Sequence, residues 1–203
     1  MKELAKRVLR GAARIAALPE YGLYRLKRLF LDPDRALHGS SQAMSLLPGV
    51  AGEYVRREFH RLALEACADD CCLSFGVVFS KRGARVGRRV YVGGGCTIGL
   101  ATLEDDVLLA SNVDVLSGAG QHRFDDRDVP IREQGGAFTR VTVGADSWIG
   151  NRAVVMADVG RGSVVGAGSV VTKPLPERSI AVGTPARVVG TRGEARDMAR
   201  TGA

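Results

Sequence analysis

Aromatic side chains are scarce in this 203-residue chain, at 5% of the total with a single tryptophan. A core of stacked rings is thereby excluded. With 26 glycines and many valines and alanines, the core must consist of small and β-branched side chains between tight turns. Histidine is scarcer still, with only His38, His60 and His122. The four cysteines, Cys67, Cys71, Cys72 and Cys96, show neither paired zinc spacing nor a disulfide framework, and read as reduced thiols. No run approaches the ~20 apolar residues that cross a bilayer, and the N-terminus lacks the apolar run and cleavage site of a secretory signal. The expected location is the cytoplasm, with the inner face of the membrane as the second option. No phosphate-cradling Walker loop is present, so no nucleotidyltransferase domain is expected.

The net charge of +7 is unevenly placed. Residues 1–30 carry eight basic and two acidic side chains, a balance of +6, whereas the remainder carries 21 basic and 20 acidic, a balance of +1. The basic surplus therefore belongs to the N-terminal segment, and no nucleic-acid partner is expected of the main domain.

Three regions can be separated: a helical N-terminal region (1–68), a repeat domain (69–192) interrupted by an irregular loop (117–140), and a short C-terminal tail (193–203). In the repeat, apolar residues stand six apart at Val86, Val92 and Ile98, then at Leu103, Leu109 and Val115. After the loop come Val143, Ile149 and Val155, then Val159, Val165 and Val171. The step from Ile98 to Leu103 is five and that from Val155 to Val159 is four, so the repeat slips twice. Glycine follows the apolar residue at Gly87, Gly93, Gly99, Gly144, Gly150, Gly160 and Gly166. A small or β-branched residue returns four positions on, at Val90, Cys96, Thr102, Val107, Val113, Ser147, Ala153, Ser163 and Ser169.

Period six fits neither a helix nor an alternating sheet. It fits short strands separated by turns, three to a triangular coil, with the apolar residue pointing inward and glycine supplying the turn's unusual dihedrals. About five stacked coils are expected, because one coil cannot bury its own edges. The fold class is thus an all-β main domain, a parallel β-helix of hexapeptide repeats, behind an α-helical N-terminal region.

The hexads resemble the hexapeptide-repeat acyltransferases. The runs Asp146-Ser-Trp148-Ile-Gly150, Val165-Gly-Ala-Gly-Ser-Val-Val-Thr-Lys173 and Ala181-Val-Gly-Thr-Pro-Ala-Arg187-Val-Val189 are similar to the C-terminal signature of the sugar O-acetyltransferase branch, which includes galactoside, maltose and colanic-acid acetyltransferases. The resemblance covers about residues 70–192. It implies a left-handed β-helix, a homotrimer with sites between subunits, acetyl-CoA as acyl donor, and a cytoplasmic role such as polysaccharide biosynthesis.

Acetyl transfer to a hydroxyl needs a proton acceptor and a held thioester. Of the three histidines only His122 lies in the loop, and imidazole accepts and returns a proton near neutral pH. The family's catalytic histidine sits in such a loop, before an acidic stretch and a Pro-Ile; here the order is His122, Asp125, Asp126, Asp128, Pro130, Ile131. Asp125 or Asp126 either orients the imidazole or is a solvated loop charge. By position in the family, Asn151, Ala167, Gly168, Thr172, Lys173 and Arg187 contact coenzyme A, with Lys173 and Arg187 suited to its phosphates. On the acceptor side stand Asn112, Asp125 and Trp148. Asn112 reads equally as a turn residue, and Trp148 as a pocket wall or as core. No metal is expected, since two of the histidines fall in the helical region and a three-histidine zinc site is excluded. The acceptor is a small-molecule or lipid-linked glycan. The alternatives are N-acetylation or xenobiotic acetylation on the same scaffold, and a non-catalytic scaffold.

On a helical wheel, residues 2–18 place Leu4, Val8, Ala12, Ile15 and Leu18 on one side and Lys2, Lys6, Arg7, Arg10 and Arg14 on the other, with Pro19 as the stop. This pattern suits either peripheral membrane contact through residues 1–30 or a helix packed on the β-helix or on a neighbouring subunit with its basic face outward. Residues 53–67 read as a second amphipathic helix capping the first coil.

Overall fold

The computed structural model describes residues 2–193. Three helices, α1 (Lys2–Lys27), α2 (Pro33–Ser45) and α3 (Gly49–Ala63), lead into a solenoid. Its first coil is β1 (Ala66–Cys67), β2 (Cys72–Leu73) and β3 (Val78–Phe79). The second is β4 (Arg85–Val86), β5 (Tyr91–Val92) and β6 (Thr97–Ile98), and the third is β7 (Ala101–Leu103), β8 (Leu108–Leu109) and β9 (Asp114–Val115). The loop follows, and the fourth coil is β10 (Val141–Val143), β11 (Trp148–Ile149) and β12 (Val154–Val155). The fifth places Val159 in a single bridge before β13 (Val164–Val165) and β14 (Val170–Val171). A partial sixth opens at Leu175, continues as β15 (Ser179–Gly183) and closes as β16 (Ala186–Thr191) folds back antiparallel.

First strands of successive coils pair in parallel as face A, second strands as face B and third strands as face C. The expected parallel β-helix is therefore present. Register alignment stacks the inward residues: Val86 on Leu103 on Val143, Val92 on Leu109 on Ile149 on Val165, and Ile98 on Val115 on Val155 on Val171. All are buried. Each such burial contributes about 1.5–3 kcal/mol, so one strict hexad spacing builds the core.

Two details of the repeat differ from expectation. The glycine after the inward residue is not the left-handed position. Positive φ falls two residues later, on Arg89, Asp106, Asn112, Asp146, Arg152 and Arg178 at 53° to 62°. The glycine is needed for space: a Cβ on Gly150 would lie 2.5 Å from the Ala167 nitrogen of the next coil. At the first slip, Ala101 takes the buried slot expected of Thr102, because the turn there is one residue shorter.

The slips share one location. Every step from face A to B and from B to C is six residues, as in Leu103 to Leu109 to Val115. Every irregular step is from C to A: seven from Phe79 to Val86, five from Ile98 to Leu103, 28 from Val115 to Val143, and four from Val155 to Val159 and from Val171 to Leu175. The loop is therefore the longest instance of a turn that never has the six-residue length and ranges from four to 28 residues.

The helices close the open first coil. Arg56 is fully buried and donates from Nε to the Leu73 carbonyl (2.9 Å) and from Nη1 to the Met44 carbonyl (2.9 Å), filling acceptors that no preceding coil reaches. Ser41 Oγ accepts the Phe79 N–H at 2.8 Å, and the Ser45 carbonyl accepts the Gly76 N–H at 3.0 Å. His60 packs edge-to-face with Phe59 and tilted against Phe79, and bonds Ser41 Oγ (2.9 Å) and the Arg56 carbonyl (2.7 Å). The capping helix expected over 53–67 is α3, ending at Ala63, because Leu64 turns extended and Ala66–Cys67 pairs with Arg85–Val86 as a strand. α1 does not stop at 18. It continues through Pro19 to Lys27, since Ala13, Ala17 and Tyr24 on both sides of the proline are buried and packing outweighs one missing hydrogen bond. Of the expected tail, residues 194–203 lie outside the described residues.

Candidate active site

The 117–140 loop leaves the solenoid at the C-to-A edge of the third coil and returns to it at β10. Its two limbs run side by side, with Thr139 N–H donating to Ser117 O, Ala137 N–H to Gly120 O and Arg123 N–H to Gly135 O, at 2.9 to 3.0 Å. Gly136 permits this closure, for a Cβ there would lie 2.9 Å from the His122 Cα. The tip is pinned by Gln134, whose Nε2 donates to the Asp126 and Val129 carbonyls (2.7 Å each). Ser117 Oγ accepts the Leu100 N–H (2.8 Å), and the Phe138 ring lies under Lys81 Nζ at 3.7 Å. The loop is thus a braced arm, and His122 is exposed on its outgoing limb. Asp125 is paired with Arg123 (2.7 Å) rather than with the imidazole, and that guanidinium holds its carboxyl below the usual range. Asp126 accepts the Asp128 N–H.

The remaining candidates fall in separate places. Thr172 and Lys173, both exposed, follow β14 on the same edge as the loop, two coils beyond its root, or roughly 10 Å at about 4.8 Å per coil. Asn112, Asn151, Ala167 and Gly168 stack on the opposite edge of face C. There Asn151 O accepts the Gly168 N–H (2.8 Å) and Asn151 Oδ1 accepts the Ser111 N–H (3.3 Å). Asn112 holds the left-handed position of its turn, at φ 57°, so it has a local structural task. Arg187 is exposed on β16, beside face B. Face C therefore lies between two rows of candidates, while within one chain His122 stands out from the C-to-A edge and Trp148 and Arg187 lie on strands of the face B sheet.

Trp148 is not core. It is 51% exposed on face B, in register with Tyr91, Leu108 and Val164. A cleft of about 280 Å³ beside it is lined by Leu108, Ser147, Trp148 and Val164, with Asp106, Asp146 and Arg192 as its charged groups. Sequence reasoning missed Tyr91 and Leu108. Their signal was available, since each immediately precedes an inward residue and so points outward. It also missed the Phe138–Lys81 contact, for which no local pattern exists. Among the described residues, no three His, Cys, Asp or Glu side chains come together as metal ligands.

Residues 140–173, the fourth and fifth coils, match the family model described as the hexapeptide repeat of succinyl-transferase. A probable acetyltransferase of Mycobacterium tuberculosis is 45% identical over 73 residues, 35% of this chain and 24% of that protein. The galactoside O-acetyltransferase of Escherichia coli is 35% identical over 111 residues, 51% of this chain and 52% of that protein. The chain is thus similar to hexapeptide-repeat acetyltransferases. It spans about half or less of the length of these curated relatives. A solved galactoside acetyltransferase in complex with coenzyme A superposes with a TM-score of 0.62 at 22% identity, covering 83% of this chain and 86% of that one. At that identity the likeness is one of fold.

Proposed function

We propose that the protein is an acetyl-CoA-dependent O-acetyltransferase acting on a hydroxyl of a sugar, a polysaccharide precursor or a glycosylated small molecule. The observation that carries this reading is the braced loop, which holds an exposed histidine out from the edge that also bears Thr172 and Lys173. The imidazole of His122 takes the acceptor's hydroxyl proton as the oxygen attacks the thioester carbonyl. The tetrahedral adduct then expels the coenzyme A thiolate, which leaves with a proton from the imidazolium. The exposed cations Lys173 and Arg187 suit the donor's phosphates. Gly168 has open space where a side chain would stand and suits close approach of the donor's arm.

The scatter of these residues over one chain favours a site shared between subunits of a homotrimer. The apolar ladder Tyr91, Leu108 and Trp148 offers the contact surface. Thiol release from acetyl-CoA with a panel of sugars tests the reading. We expect His122→Ala to lose about 10²–10⁴-fold in kcat with an unchanged melting temperature. Unchanged activity in that variant would remove the assignment.

A further inference from the structure

Over its first half α1 packs through small residues, with Arg10 paired to Asp69 (3.2 Å) and Lys27 reaching Ser40 (3.0 Å). Ala13 and Ala17, with Tyr24 further on, are buried in the packing with α3. A helix docked on one side ordinarily turns its larger apolar residues toward that side. Here they face out. Val8, Ile15, Leu18 and Leu26 share the opposite face, and the turn after the helix adds Leu29 and Phe30; all six are between 48% and 80% exposed. From Val8 to Leu26 the stripe runs roughly 27 Å along the axis. Arg14 and Arg25, both exposed, follow one border of it. Within one chain α1 thus packs its small face inward and leaves its large apolar residues outward, beside Arg14 and Arg25.

Three observations say what covers this face. The exposed charges bordering the stripe, Arg14 and Arg25, are both positive, so a second copy laid on it would bring like charge near like charge. Among the described residues no helix is long and apolar enough to cross a membrane, so the stripe suits lying on a bilayer rather than spanning it. At the end of α1 a cleft of about 460 Å³ is lined by Arg25, Leu26, Arg28, Leu29 and Pro33, pairing two guanidinium groups with two apolar side chains. That pairing matches a phosphodiester headgroup and the start of its acyl chains.

We propose that α1 and the Leu29–Phe30 turn dock the protein flat onto an anionic lipid surface. The inference is independent of the acetyl-transfer reading.

The test is flotation of the full chain with vesicles of phosphatidylcholine alone or with about one-third phosphatidylglycerol. Wild type is expected to float with the anionic vesicles at least tenfold more than with the neutral ones. Raising salt from about 0.1 to about 1 M, which shortens the screening length from roughly 10 to 3 Å, should release it. The double variant Ile15→Glu/Leu26→Glu, at exposed positions, should keep its melting temperature and mass and lose at least tenfold in flotation. Arg14→Gln/Arg25→Gln should lose several-fold. Equal flotation with both vesicle types overturns the anionic assignment. Absence of flotation, or flotation unchanged in the double variant, overturns the docking. A fall in mass of the double variant by light scattering also overturns it, because the stripe would then be covered by a second copy.

Discussion

The B-to-C edge and the C-to-A edge flank the same sheet of the same solenoid, yet they are built on different terms. At the B-to-C edge every turn has the same length. Gly93 and Gly150 let successive backbones touch there, and Asn112 and Arg152 supply the left-handed residue. Each turn is held by the coils above and below, so a change in one must be accommodated by its neighbours. At the C-to-A edge the steps range from four to 28 residues. The solenoid tolerates this because an insertion there leaves the strands' inward register untouched. A repeat fold can therefore hold an exposed arm without disturbing its core, provided that the arm leaves from the free edge.

The comparison can be broken most sharply by truncating the core and the loop in parallel. Leu109→Ala, at a fully buried stacked position, should cost about 2–5 kcal/mol in denaturant unfolding. Val129→Ser in the loop should stay within about 0.5 kcal/mol. Equal costs would mean that the loop is part of the cooperative unit. Next in size is Gly150→Val, which forces a side chain into the Ala167 backbone and should cost about 1–3 kcal/mol. The comparable change at Gly135, where nothing lies within 4 Å, is limited to the strain of its φ of 73°, about 1 kcal/mol.

The helical cap responds to pH rather than to length. Burial lowers the His60 pKa from 6.5 to about 4. Between those values the unfolded chain binds a proton that the folded one refuses. Its contribution is therefore fully present above pH 6.5 and is lost as pH falls toward 4, up to about 3 kcal/mol. Urea unfolding of wild type and His60→Gln at pH 7 and 5 should show the steeper slope only in wild type. The smallest effect expected concerns the donor. Lys173→Ala should raise the KM for acetyl-CoA about tenfold with kcat little changed, the behaviour of a binding rather than a reacting group. An unchanged KM would place the phosphates elsewhere.

The sequence by itself determined the scaffold. Spacing of six among Val86, Val92 and Ile98, and again among Val143, Ile149 and Val155, specifies strand, turn and inward direction at once, because burial admits one register. It also offers His122 as the candidate base, since it is the one histidine of three that lies in the long break of the repeat. Tertiary structure decided what local pattern cannot encode. Two slips and a loop, unrelated along the chain, proved to be one edge, because the turn to which each belongs depends on how many strands precede it. The turn glycines proved to serve contact between coils rather than left-handed dihedrals, a requirement set by residues 17 positions away. The amphipathic N-terminal helix read the same whichever face was buried. Only packing of Ala13 and Ala17 with α3 turned its large apolar side chains outward, and that choice leaves the protein with a surface to be covered.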